Sequence, residues 1–138
     1  MTAEEAEASG EVLINPVLVY SHPTLALFDS GATNCFISSR YVAHYELPTV
    51  SIEVALNFGT GSGMSRVTLV VKKCPFTILD RELIVFMLVL DMTSIDVILG
   101  MDWLSMCMAQ IDCQKGSVTF QVPGSKPLTL VPKTKYVA

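Results

Sequence analysis

An all-β fold, a barrel or sandwich with one or two short helices, is what the sequence predicts, and three observations carry the prediction. Short apolar runs rich in Val, Ile, Leu, Thr and Phe follow one another from Glu11 onward: VLINPVLVY, TLALF, VSIEVALNF, RVTLVV, FTIL, LIVFMLVL, DVIL, SVTF and LTLV. Turn-forming clusters punctuate them, namely SHPT, GTGSGMS, KKCP, LDRE, DMTS, DCQKG and VPGSKP. Only two places look helical, and both are short. Many short strands with turn signals between them describe two packed sheets or one closed sheet.

In chain order, residues 1–11 (MTAEEAEASGE) have almost nothing to bury and read as a flexible acidic leader. Residues 12–122 hold the strands and form the expected domain. Thr24 to Phe28 is continuously apolar after its first residue, which predicts an interior strand, and Asp96 to Gly100 reads the same way. Ser38 offers a hydroxyl cap to a helix reaching Tyr45. Alternation in Ser51 to Leu56 and in Arg66 to Leu69 predicts strands with one buried face. A second helix is predicted over Met101 to Met106, after Gly100. Residues 123–138 read as a C-terminal strand or a linker.

At 138 residues the chain has the length of one domain, so one site is sought. Its longest greasy run, Leu83 to Leu90, is far below the roughly 18 residues that a membrane helix needs, so no membrane segment is expected. The acidic N-terminus lacks the basic start and apolar stretch of a secretory signal, and a reducing compartment is expected. Cys35, Cys74, Cys107 and Cys113 stand far apart without companion histidines. They read as small buried apolar residues, with neither a metal nor a cofactor implied. A net charge of −4 with unclustered lysines and arginines gives no footprint for direct nucleic-acid binding.

Asp29-Ser30-Gly31 directly follows the strand Leu25 to Phe28, and a carboxylate emerging from an apolar strand needs a reason. Alone, the tripeptide is weak and reads first as a β-turn with an Asx-type hydrogen bond. Some seventy residues later, Asp96-Val97-Ile98-Leu99-Gly100 is an apolar strand that ends in glycine and opens a helix. Between the two lies Asn57-Phe58-Gly59-Thr60-Gly61-Ser62-Gly63.

Taken together, LALFDSGATNCFIS and IDVILGMDWL resemble the two elements of retropepsin-like aspartic proteases. The likeness is greatest to proteases of gypsy-type LTR retrotransposons, especially plant ones, and runs from about Val12 to Val122. It takes in Ile37-Ser38, Leu90-Asp91-Met92, VILGMDWL and Ala109 to Cys113. Two departures from retroviral relatives stand out: Met101 replaces the usual arginine, and Thr33-Asn34 replace an acidic pair, so the ion pairing of those groups is not carried over.

The resemblance implies a retropepsin-like closed β-barrel, one acid-protease half, acting as a homodimer on extended peptide segments of its own polyprotein. It implies Asp29, Ser30 and Gly31 as the catalytic loop. Ala32, Thr33, Ile98 and the flap residues Phe58, Gly59, Gly61 and Gly63 would bind substrate, with Ile98 and Gly100 also packing beneath the loop. Only one Asp-Ser-Gly occurs, and Asp91, Asp96, Asp102 and Asp112 lack its context. The partner carboxylate is therefore expected from Asp29 of a second copy, related by a two-fold axis through the site. A cytoplasmic location, with virus-like particles as one setting, is implied too.

Other residues lose on inspection. His22 and His44, read as turn and surface-helix residues, give no context for a nucleophile at Cys35 or Ser30. Trp103 reads as a core or interface anchor, and Met101, Met106 and Met108 as packing. Two rival functions stay in view: a domesticated or weakly dimerising copy serving as a binding or assembly module without turnover, and a plain β-barrel carrier.

Overall fold

The computed structural model describes residues 12–60, 63–78, 81–107, 109–112, 114, 117–121, 126–130 and 134–135; the acidic leader, Gly61, Met108 and Cys113 lie outside them. The chain runs β1 (Val12–Val19), β2 (His22–Asp29), β3 (Phe36–Ser38), α1 (Ser39–His44), β4 (Val50–Thr60), β5 (Gly63–Ile78), β6 (Arg81–Leu90) and β7 (Val97–Leu99). It continues with α2 (Met101–Met106), β8 (Gln110–Asp112), β9 (Ser117–Phe120), β10 (Leu128–Leu130) and β11 (Thr134–Lys135).

Six strands close a barrel in the order β1, β2, β7, β3, β6, β5, with β5 returning to β1 through Leu18↔Thr77 and Val19↔Phe76. β4 extends the sheet beyond β5, and β11 lies against the start of β1. Pro16 falls between the β11 and β5 pairings of β1, so the amide it lacks costs neither ladder a bond. β8, β9 and β10 form a separate antiparallel sheet, which takes in the Val118–Phe120 segment.

β1 and β2 meet in a two-residue turn, where Tyr20 and Ser21 take positive φ of 51° and 65° without glycine. The Tyr20 amide donates to the Pro75 carbonyl at 3.0 Å and the Tyr41 hydroxyl to the Val19 carbonyl at 3.1 Å, tying the strained turn down. Helix α1 begins as its sequence predicts: the Ser38 side chain accepts the Tyr41 amide at 3.0 Å. Two apolar clusters fill the interior. One centres on Phe28, Ile37, Phe76, Met87, Leu99 and Trp103; the other holds Leu27, Ala32, Phe36, Val67, Leu90 and Ile98.

Several local expectations are corrected. The cluster Lys72 to Pro75, expected as a turn, lies inside the continuous strand β5. Val71 pairs with Met87 and Cys74 with Val85, so the exposed Lys72 and Lys73 share Phe86 as a bulge. His22 to Thr24 belong to β2, the turn having closed earlier. The alternation of Ser51 to Leu56 does not bury one face, because residues 52–55 bulge opposite Thr68 and leave Val54 75% exposed. Leu25 is exposed and Thr24 half-buried, so only the Ala26 to Phe28 part of the expected interior strand is buried, and Met101 and Met106 are exposed instead of packed, since both fall on the outer face of α2.

Candidate active site

Asp29 is the last residue of β2 and is completely enclosed, with 0% exposure in the single chain. Its Oδ1 accepts the Gly31 amide at 2.8 Å, and its carbonyl accepts the Ala32 amide at 3.2 Å. The Asx hydrogen bond read from the tripeptide is thus present, but it sits on a specific support.

That support is β7. It runs parallel to β2 (Leu27↔Ile98, Phe28↔Leu99) and antiparallel to β3 (Phe36↔Ile98), filling the gap between the strands on either side of the loop. At its end, Gly100 passes directly beneath residues 32–34. A Cβ there would meet the Ala32 oxygen at 2.8 Å and collide with the Asn34 carbonyl oxygen. Glycine is required for this closeness, and not for backbone angle, because φ is −98°. The first turn of α2 then donates upward, Met101 to the Ala32 carbonyl at 2.7 Å and Asp102 to the Thr33 carbonyl at 3.2 Å. Trp103, buried, stacks on Phe28 with ring centroids 6.3 Å apart and anchors α2 to the strand that carries Asp29.

The remaining residues implied by the resemblance are dispersed around this loop. Gly31 and Thr33 are exposed, Ser30 is half-buried and Ala32 is buried; the Thr33 hydroxyl donates to Asn34 Oδ1 at 2.9 Å. Ile98 is fully buried and presents no surface in a single chain, as suits the packing part of its expected role. The β4–β5 hairpin pairs Thr60 with Gly63, and the expected flap residue Gly61 lies outside the described residues. Phe58 on that hairpin meets Phe36 edge-on at 5.1 Å and packs against the cluster containing Ala32 and Ile98. The hairpin therefore folds over the loop side of the barrel. Among the described residues, the half-open cavities near Tyr45, Trp103 and Leu25 are lined without Asp29.

Sequence reasoning did not single out the contact between Cys35 and Asp102, whose Sγ to Oδ1 distance is 2.9 Å. Nor did it find that Ser38, beyond capping α1, donates to Asp96 Oδ1 at 2.6 Å. A Ser-x-x-Tyr cap signal is local, whereas both of these contacts join residues more than fifty positions apart.

A six-stranded barrel in which a strand slots between the two flanks of an Asp-Ser-Gly loop is the architecture of one acid-protease half. The chain belongs to the retroviral aspartyl protease family, whose model matches residues 1–126. Among solved structures it is similar to the retroviral protease-like domain of Ddi1 from Leishmania major, at 18% identity and a TM-score of 0.63, covering 87% of this chain and 94% of that one. It is also similar to the EIAV protease complexed with the inhibitor HBY-793, at 19% identity and a TM-score of 0.59, covering 74% and 93%. At such identities these likenesses establish the fold alone. No curated protein sequence matches.

Proposed function

We propose that the chain is a homodimeric aspartic endopeptidase that processes the polyprotein of a gypsy-type LTR retrotransposon. The observation that carries this reading is the placement of Asp29: one carboxylate, fixed by the Gly31 amide, on a loop carried by β7 and Gly100. Amide hydrolysis by carboxylates needs one group to take a proton from water and another to give one to the leaving amine. Aspartic proteases in general meet this with two carboxylates about 3 Å apart that share a proton and titrate as a pair. A single chain of this family supplies one, and Asp29 of a second copy, across a two-fold axis, supplies the other. In that assembly Ser30 and Gly31 hold the loops, Ala32 and Thr33 flank the scissile bond, and the hairpin with Phe58, Gly59, Gly61 and Gly63 closes on an extended peptide and excludes water.

A second reading is favoured by one specific observation, the complete enclosure of Asp29 in the single chain. On that reading the domain is a binding or assembly module, and its loop support is retained for folding instead of turnover.

Cleavage of extended peptides, followed against pH and protein concentration with Asp29→Ala and a statine inhibitor as controls, separates the two. Activity that rises faster than linearly with protein, vanishes in the variant and yields to the inhibitor supports the dimeric enzyme. Activity linear down to concentrations where sedimentation finds only monomer removes the shared-pair mechanism, and a folded dimer without turnover favours the module.

A further inference from the structure

We propose that Cys35 and Asp102 form a positioning pair that sets the height of the Asp29 loop, a role that rests on the hydrolase reading for its catalytic consequence. The loop leaves β2 at Asp29 and enters β3 just after Cys35. From below it is held by two backbone donors, Met101 to Ala32 and Asp102 to Thr33, both from the first turn of α2. The loop therefore sits where α2 sits. Gly100, the residue that caps α2, has no side chain to hold that turn, and Asp102 is the acidic residue within it.

Asp102 Oδ1 accepts two donors at once, the Trp103 amide at 2.7 Å and the Cys35 thiol at 2.9 Å. The first bond is internal to the helix. The second crosses from the helix to the far end of the loop, where the Cys35 carbonyl is itself fixed by the Leu88 amide of β6 at 2.9 Å. A chain of contacts thus runs from β6 through Cys35 and Asp102 to the carbonyls of the loop. Met101 is partly exposed and apolar, and Thr33 is engaged with Asn34, so neither brings a charge to this junction. Burial, followed by the bond to Asp102, pushes the Cys35 thiol well above its ordinary range, which keeps it a donor. A bond to a carboxylate is charge-assisted and stronger than the thiol's usual weak donation.

The test uses the full chain with Cys35→Ala, Cys35→Ser, Asp102→Asn and Asp102→Ala, reading both peptide cleavage and amide hydrogen exchange at Gly31, Met101 and Asp102. Asp102 is exposed, so its variants keep the fold even if Cys35→Ala does not. In the alanine variants exchange at these amides accelerates about tenfold, the loss of one charge-assisted bond, while amides of β5 and β6 keep their protection. Turnover falls roughly tenfold to a hundredfold with KM within about twofold, as expected for a displaced reacting group, and Cys35→Ser recovers most of it. Unchanged exchange at Gly31 and Met101 in Asp102→Ala overturns the proposal, and so does equal acceleration across the whole barrel. A wild-type chain that cleaves nothing while the variants still loosen the loop removes the hydrolase reading and sustains the positioning pair.

Discussion

Gly100 and Asn34 are pressed together so closely that a Cβ on the former would stand 2.7 Å from the carbonyl carbon of the latter. Because the obstructing atoms are backbone, they cannot rotate away. Gly100→Ala is expected to cost about 3 kcal/mol, the upper part of the usual range for overpacking. Urea unfolding measures it, and a midpoint equal to that of the wild type would contradict the geometry. Turnover should fall with it, since the same contact holds the Asp29 loop.

If each subunit gives one carboxylate, inactive copies must poison active ones. Mixing wild type with an equal amount of Asp29→Asn and allowing exchange leaves about one quarter of the dimers with two intact loops. Activity per total dimer should therefore drop to about a quarter of the undiluted wild-type value, against about half for independent monomers. A dilution series with catalytically silent protein distinguishes these curves directly.

Ser38 and Arg40 both reach Asp96, but from different environments. Ser38 is buried, caps α1 through Tyr41 and donates to Asp96 at 2.6 Å, so Ser38→Ala should cost about 1–2 kcal/mol. Arg40 makes its 2.9 Å ion pair from a side chain 58% exposed, where solvent screens the attraction, and Arg40→Ala should cost less than about 1 kcal/mol. Thermal melts of the two variants side by side test the ranking, and a larger loss for Arg40→Ala would reverse it.

Burial raises the Cys74 thiol to about 12 and the Cys107 thiol to about 11, from an ordinary value of 9.0. Both thiols are protonated in the folded chain where the unfolded chain has begun to ionise. Their contribution to stability is thus complete below pH 9 and is lost as pH rises through 11 and 12. Unfolding midpoints should be flat with respect to these groups below pH 9 and decline above it. Neither thiol should react with an aromatic disulfide at pH 8 until denaturant is added.

The β content, both helices and the two strands that cradle the Asp29 loop were legible because each announces itself locally. Ser38 precedes its helix, Val97 to Leu99 form an unbroken apolar run, and Gly100 ends it. What was not legible depends on the partner strand. Lys72 and Lys73 look like a turn until β6 is present to bridge them, and Val54 looks like a core residue until the bulge opposite Thr68 turns it outward. The support of the Asp29 loop is equally nonlocal, since Gly100 and the first turn of α2 come from residues far along the chain. The Cys35 to Asp102 contact spans 67 positions, and neither residue type marks the other.

The insertion of β7 between β2 and β3 also sets an order of events during synthesis. While a growing chain ends before residue 97, the two strands flanking the Asp29 turn face an empty slot, and the turn has no floor. Pairing across such a sequence gap is slow compared with local hairpins. The nascent polypeptide thus leaves the ribosome with its Asp29 loop unsupported, and that loop gains its floor only after most of the domain has emerged.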